Sequence, residues 1–126
     1  MSVRDDLLDQ AIVRLSSVQG VLMDPDALAE DVFLLSVSFS DEEEFLAAVL
    51  ATQRALSRLR RGSVDSSNLT GNLSSWRSYH YQHRVFQGAK ADMRIEWQSK
   101  DGSLYVRGFG HRWIPSDFYK RLSETR

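Results

Sequence analysis

The chain contains no cysteine and only two prolines among its 126 residues. Without cysteine, neither a disulfide framework nor a thiolate metal site is possible, and a reducing compartment is compatible with this composition. No apolar run approaches the roughly 20 residues of a membrane-spanning helix. The N-terminal run Met-Ser-Val-Arg-Asp-Asp also lacks the basic start and apolar middle of a signal peptide. We therefore expect a soluble, cytoplasmic protein that makes no membrane contact.

Motifs for nucleotide, metal and acyl-transfer sites are also missing. The sequence has neither a Gly-x-Gly-x-x-Gly nor a Gly-x-x-x-x-Gly-Lys-Ser loop, and nothing in it resembles a nucleophile elbow. A Ser/His/Asp triad stays open, because any chain holds those residues. His80 and His83 are three residues apart in a predicted strand, an offset that sends them to opposite faces rather than to one zinc ion. We expect no metal and no cofactor.

The net charge is small, at −1, but the charge is distributed unevenly. Residues 1–57 carry 3 basic and 11 acidic side chains, whereas residues 58–126 carry 13 basic and 6 acidic ones. A basic half can attract polyanions even when the whole chain does not. Alternatively, the two halves dock on each other or face water.

The length predicts a single compact domain, with a helical extension over residues 1–31 and an α+β core over residues 32–126. Apolar residues at three- and four-residue steps predict an amphipathic helix over residues 3–18. Asp24-Pro25-Asp26 resembles a helix start, so residues 25–30 are expected to form one helical turn.

The middle of the chain is expected to contain a strand, a long helix and a loop. Val32 to Phe39 is rich in branched and aromatic residues that alternate with serines, which predicts a strand. Ser40 and Glu43 form a capping box that predicts the start of a long helix, and Gly62 suits its C-terminal cap. The polar run over residues 63–75 is expected to be a surface loop.

Three further strands are predicted to form an antiparallel meander. Residues 76–86 form the first strand, and its tyrosines, histidines and arginines suit either an RNA-binding surface or an exposed strand that covers the core. The alternation from Met93 to Gln98, a turn at Gly102 and the apolar pattern from Leu104 to Phe109 then predict a hairpin. A short helix begun by Pro115 and Ser116 is expected to end the fold.

The end of this hairpin holds the residues that we expect to be functional. Arg94 leaves the first hairpin strand, His111 and Arg112 follow the second, and Tyr119 lies in the terminal helix. Guanidinium groups bind phosphate oxygens through a planar fork of donors, and a phenol or an imidazole can move a proton. The pattern therefore predicts phosphate chemistry. The side chains expected to bind RNA around it are Arg77, His80, His83, Arg84 and Arg107.

The same stretch resembles the end of the RelE/ParE toxin superfamily. Members typically show a strand of the form aromatic-Arg-aliphatic-x-aromatic, an apolar strand that ends in Gly-basic-Arg, and a tyrosine in the closing helix. Here the corresponding segments are Met93-Arg-Ile-Glu-Trp97, Leu104-Tyr-Val-Arg-Gly-Phe-Gly-His-Arg112 and Asp117-Phe-Tyr119, with Met93 where the first aromatic would stand. The resemblance covers residues 32–122 in element order.

This resemblance implies a RelE-like fold and a metal-independent endoribonuclease that acts on mRNA, either free or on the ribosome, and is silenced by an antitoxin protein. It assigns Arg94 and Arg112 to the phosphate and Tyr119 to proton transfer or substrate orientation. The residues themselves leave His111 or His83 equally able to supply the proton. Two rival functions stay open: a ParE-like toxin that inhibits a topoisomerase, and a non-catalytic interaction or immunity-type module.

Overall fold

The computed structural model of this chain describes residues 3–62, 67–68, 76–85 and 88–126. Within these residues, helices and strands combine in an α+β arrangement, which confirms the predicted fold class. In chain order, the elements are α1 (Asp5–Ser16), β1 (Val21–Met23), α2 (Pro25–Ser38), α3 (Glu42–Arg61), β2 (Ser67–Asn68), β3 (Arg77–Tyr81), β4 (Met93–Lys100), β5 (Ser103–His111) and α4 (Phe118–Thr125). The loop predicted over residues 63–75 lies outside the described residues, except for β2.

In the described part of the chain, the strands form one mixed sheet in the order β1-β5-β4-β3-β2. β3, β4 and β5 pair antiparallel, as the predicted meander requires, whereas β1 pairs parallel with β5. The turn between β4 and β5 places Gly102 at a φ of 78°, which is the positive value that the tight reversal was expected to need. Asp101 also has a positive φ, of 53°.

A β-bulge interrupts the pairing of β4 with β5. Glu96 lies opposite Gly108, and the next residue of β4, Trp97, lies opposite Val106. Arg107 is therefore an additional residue in β5. The bulge allows its side chain to approach Glu96, and the Arg107 Nη1 to Glu96 Oε2 distance is 3.4 Å.

The strand predicted from Val32 to Phe39 is wrong, because residues up to Ser38 belong to α2. This helix begins where the Asp24 side chain accepts a hydrogen bond from the Ala27 N–H at 2.9 Å, and it continues past the single turn expected there. Its buried residues recur at helical steps: Ala27, Leu28, Asp31, Val32 and Leu35. The strand that precedes the long helix is the short β1.

The alternation that suggested a strand does not correspond to burial. Phe33 and Val37, which a strand would place on one face with Leu35, are 56% and 47% exposed, while Leu35 is buried. Over such a short stretch, branched and aromatic residues are compatible with the two-residue repeat of a strand and with the 3.6-residue repeat of a helix. Tertiary packing decides which of the two forms.

The long helix α3 confirms one predicted end and shifts the other. Its N-terminal cap is Asp41 rather than Ser40, because the Asp41 side chain accepts hydrogen bonds from the Glu43 and Glu44 N–H groups at 2.8 and 3.2 Å. Gly62 caps the C-terminus with a φ of 71°, as predicted.

The N-terminal region and the sheet share one hydrophobic core. Side chains of α1, α2 and α3 pack together with buried residues of β4 and β5. The boundary expected between residues 31 and 32 falls inside α2, and β1 from the expected extension is a strand of the sheet. Among the described residues, no helix is both long and apolar enough to cross a membrane.

The buried Asp31 joins α2, β5 and α4. Its carboxylate accepts a hydrogen bond from the Phe109 N–H at 3.0 Å and forms ion pairs of 2.7 Å with Arg121 of α4 and with Arg126, the C-terminal cap of that helix. Removing one partner of such a buried pair leaves an uncompensated charge, which costs about 3–5 kcal/mol. Asp31 thereby fixes the helix that carries Tyr119.

Candidate active site

The register of the sheet brings polar side chains of two strands to the face that α4 covers. Arg94 of β4 lies opposite His80 of β3 on one side and Gly110 of β5 on the other. Ser78 of β3 lies opposite Glu96 in the same way. Because side chains alternate along a strand, these residues share one face, and the apolar residues of β4 point into the core.

Tyr119 reaches this face from the first turn of α4. The side chain of Asp117 caps the helix by accepting a hydrogen bond from the Lys120 N–H at 3.2 Å. The Tyr119 hydroxyl lies 2.5 Å from the Ser78 Oγ and 3.3 Å from the His80 Nε2. Tyr119 is thus within hydrogen-bonding distance of two β3 side chains.

The Arg112 guanidinium contacts two aromatic rings, those of Trp113 and Tyr119. Its guanidinium carbon is 3.9 Å from the centre of the Trp113 ring and 4.7 Å from that of the Tyr119 ring. Its Nη1 forms an ion pair of 3.1 Å with Asp117. Burial alone would raise the pKa of Asp117, but hydrogen bonds from the Lys120 N–H and from Arg112 hold it below its usual range.

Arg94 is held by backbone carbonyl groups. Its Nη1 donates to the carbonyl oxygens of Ala91 at 3.0 Å and Met93 at 2.9 Å. Its Nε is buried and has no hydrogen-bond partner within the described residues. A buried donor that lacks a partner is costly, so the contacts of the described residues leave this part of the Arg94 guanidinium unsatisfied.

The protonation of His80 follows from this environment. Partial burial, followed by the positive charges of Arg94 and Arg112, lowers the pKa of His80 below its ordinary value of 6.5. The imidazole is therefore neutral at neutral pH and able to accept a proton. We call Ser78, His80, Arg94, Arg112 and Tyr119 the α4-face cluster.

Glu96 lies on the same face, and the sequence analysis did not single it out. Its side chain is fully buried, and its Oε1 has no hydrogen-bond partner among the described residues. Burial raises its pKa from 4.5 to about 7, against the opposing effect of Arg107 and Arg126. In the alternating pattern of β4, Glu96 occupies a polar position that is expected to face solvent. The sequence around it does not indicate that a helix covers this position.

His111 does not join the cluster, because it leaves β5 on the side opposite to Arg112. Its Nδ1 accepts hydrogen bonds from the backbone N–H groups of Trp113 at 3.0 Å and Ile114 at 3.1 Å. Its ring lies 5.9 Å from that of Phe39. Burial lowers the pKa of His111, which favours the neutral ring that these two bonds require.

His83 and Arg84 also point away from the cluster. His83 Nδ1 lies 2.6 Å from Asp92 and its Nε2 lies 3.1 Å from Glu44, at the start of α3. Arg84 donates from Nε to the same Glu44 at 2.7 Å, and this bond lowers the pKa of Glu44. His80 and His83 thus make contacts on opposite sides of the sheet, as their spacing predicted.

Two of the expected RNA-binding arginines lie elsewhere on the sheet. The Arg77 guanidinium carbon is 5.8 Å from the centre of the Trp97 ring, and Trp97 is the β4 residue that pairs with Arg77. Arg107 lies under α4, where it donates to the Leu122 carbonyl oxygen at 3.3 Å in addition to its ion pair with Glu96. Of the residues expected to bind RNA, His80 is the one that the structure brings to the cluster.

A polar cavity of about 360 Å³ includes His80 in its lining. Its lining includes Arg54 and Arg58 of α3, together with Tyr79 and Gln82 of the β3 region. A larger groove of about 600 Å³ lies apart from the cluster, between α1 and α3. Tyr79 and Tyr81, which also line this cavity, pair with the buried Ile95 and Met93, so the cavity lies on the α3 side of the sheet, across from Arg94 and Arg112.

No group of three or more His, Cys, Asp or Glu side chains is placed to hold a metal ion in the described part of the chain. The cluster instead combines two arginines, a neutral histidine and a phenol, a set that can bind a phosphate and move a proton next to it. Comparisons of the chain with protein-family models, with curated proteins and with solved structures found no match.

Proposed function

We propose that this protein is a RelE-like endoribonuclease toxin that cleaves mRNA at the α4-face cluster without a metal ion. The observation that supports the proposal is the convergence of Arg94, Arg112 and Tyr119 with His80 on one face of the sheet. These residues come from β3, β4, the segment after β5 and α4. Together they offer the groups that phosphodiester cleavage requires.

In the proposed reaction, the ribose 2′-oxygen attacks the adjacent phosphorus, and the bond from phosphorus to the 5′-oxygen breaks. The neutral His80 Nε2 takes the proton of the 2′-hydroxyl. Arg94 and Arg112 stabilise the negative charge of the crowded phosphorane. The 5′-oxygen leaves with a proton supplied from the Tyr119 hydroxyl, so that the products are a 2′,3′-cyclic phosphate and a 5′-hydroxyl.

The proton acceptor in this proposal is His80 rather than His111 or His83. His80 Nε2 is within hydrogen-bonding distance of Tyr119, whereas the Nδ1 of His111 is engaged by two backbone N–H groups. Both ring nitrogens of His83 lie next to carboxylates. A general base must lie within reach of the proton that it removes, and His80 meets this condition beside the two arginines.

An antitoxin protein belongs to the same proposal. The half of the chain that carries the cluster holds 13 basic and 6 acidic side chains, so an acidic partner segment would bind the surface that RNA needs. The proposed nuclease activity has two possible substrates, which are mRNA on the ribosome and free mRNA.

The test is expression in bacteria together with mapping of mRNA ends. We expect growth arrest and new mRNA 5′-ends, and we expect the purified protein to cleave RNA in the presence of EDTA, with ribosomes added if free RNA stays intact. Arg112→Ala should lower the cleavage rate about 100- to 1,000-fold, because one charge-stabilising donor is lost. Arg14→Ala is the matched control, since Arg14 lies on α1 and its side chain donates to Gln53 of α3.

The other outcomes identify the rival functions. Growth arrest with a DNA damage response and intact mRNA would support a topoisomerase inhibitor. High expression without any growth defect would support the interaction or immunity-type module. Full activity in Arg112→Ala would contradict the assignment of the cluster as the catalytic site.

A further inference from the structure

Trp113 is a large exposed aromatic residue next to the α4-face cluster. Its side chain is 61% exposed. One face of the indole lies against the Arg112 guanidinium, whose carbon is 3.9 Å from the ring centre, and the centre of the Tyr119 ring lies 4.7 Å from the same carbon. The ring face turned away from Arg112 is therefore accessible to a ligand.

The backbone around Trp113 is fixed before any ligand binds. The N–H groups of Trp113 and Ile114 both donate to His111 Nδ1, and the Ile114 carbonyl oxygen accepts from Ser38 Oγ at 2.9 Å. The Arg112 N–H donates to the Asp92 carbonyl oxygen at 2.8 Å. A ring on such a fixed segment loses little conformational freedom when a ligand stacks on it.

From this arrangement, we infer that Trp113 is a stacking platform for one nucleobase of a single-stranded RNA, next to the phosphate held by Arg94 and Arg112. The inference rests on the proposed function and names the part of the substrate that the site holds beside the phosphate. Base stacking on an aromatic ring is tolerant of sequence, because every base has a π-face. Trp113 therefore contributes affinity and alignment rather than base identity.

The charge next to Trp113 favours a nucleotide over a protein segment as the occupant. The indole is stacked on a cation that belongs to the proposed phosphate site, and His80 and Arg94 lie on the same sheet face. A nucleotide presents an apolar base and an anionic phosphate side by side, which matches an aromatic ring followed by a guanidinium.

The test measures binding of two non-cleavable probes. The first is a short single-stranded oligouridylate with fluorine in place of each 2′-hydroxyl, and the second is the same backbone with abasic sugars. We expect Trp113→Ala to weaken binding of the first probe roughly 5- to 150-fold and to leave the second unchanged. Trp113→Phe should keep most of the affinity, because it keeps an aromatic face.

Fluorescence supplies a second readout. The chain has three tryptophans, and a stacked base quenches the indole that it covers. Quenching by the oligouridylate should disappear in Trp113→Phe and persist in Trp76→Phe and Trp97→Phe. Unchanged binding of the abasic probe in Trp113→Ala also shows that Arg112 still binds phosphate in the variant.

The contrary outcomes are distinct. Equal affinity of the wild-type protein for both probes would overturn the stacking platform and leave the phosphate site standing. The same would follow if Trp113→Ala bound the oligouridylate as tightly as the wild type, which would assign the exposed ring to a protein partner instead. Binding of neither probe by the wild type, alone or with ribosomes, would overturn both the proposed function and this inference.

Discussion

His80 and His83 lie three residues apart, yet they occupy opposite electrostatic environments. His83 is flanked by Asp92 and Glu44, and the neighbouring Arg84 pairs with the same Glu44. His80 instead lies near Arg94 and Arg112, and partial burial, followed by these two positive charges, lowers its pKa. His83 and Arg84 thus have carboxylate partners, whereas on the other side of the sheet Arg112 pairs with Asp117 and Arg94 has no carboxylate partner among the described residues.

This difference shows why composition alone cannot locate a phosphate site. The segment after β3 offers a histidine and an arginine that look as suitable as those of the cluster, but nearby carboxylates already occupy them. Arg94 has no carboxylate partner in the described part of the chain. A cation that the fold does not neutralise is the one available to an anionic ligand.

Replacing the histidine on each side should give the largest contrast. His80→Ala should lower the cleavage rate about 100- to 10,000-fold, because the general base is lost. His83→Ala should change stability and leave the rate of the folded protein nearly unchanged. A rate assay on both folded variants measures the contrast, and equal losses would break the comparison.

The pH profile of the proposed activity in the wild-type protein sharpens the same test. A general base acts when it is neutral, so kcat/KM should fall with decreasing pH through the pKa of His80, which lies below its ordinary 6.5. This acid limb should be absent in His80→Ala and present in His83→Ala.

Paired arginine replacements should give the next largest contrast. Under the proposed mechanism, Arg94→Ala should lower the cleavage rate about 100- to 1,000-fold, because it removes a guanidinium that stabilises the charge of the phosphorane. Arg84→Ala should leave the rate nearly unchanged, since Arg84 pairs with the partly exposed Glu44. Measured rates that fall equally in both variants would contradict the division of charge between the two sides.

The smallest expected effect concerns stability and Glu96. Because the folded-state pKa is about 7 and the ordinary value is 4.5, the folded protein binds this proton more tightly than the unfolded chain. The contribution of Glu96 to stability should therefore be fully present below the ordinary pKa and decrease by about 3 kcal/mol as the pH rises through this interval. Urea unfolding at about pH 5 and about pH 8 should show this loss in the wild type and not in Glu96→Gln. If the free energy of unfolding depended equally on pH in both proteins, a group other than Glu96 would be responsible for the loss.

The sequence predicts the hairpin and the long helix well because their signals are local. The alternation from Met93, the turn at Gly102 and the cap at Gly62 each depend on a few neighbouring residues, and the structure has all three. Arg94 and Tyr119 come together because a strand and the helix that follows its hairpin are close in sequence and in space.

The sequence could not predict features that depend on distant packing. The stretch from Val32 to Phe39 satisfies a strand pattern locally, but Asp31 and Leu35 are buried against other elements and make it a helix. The preference for His80 over His111 depends on which sheet face each residue takes, and the position of the bulge decides this for His111. No short sequence pattern predicts the position of this bulge.

The bulge opposite Glu96 determines whether Arg112 or His111 lies on the sheet face that carries the proposed phosphate site. A regular count from the buried Leu104 along β5 would send Arg112 into the core and turn His111 toward α4. The surplus residue Arg107 reverses that parity, so that the two neighbours exchange directions. A slip of the β4–β5 ladder by one position would consequently swap a guanidinium for an imidazole while every amino acid stayed the same.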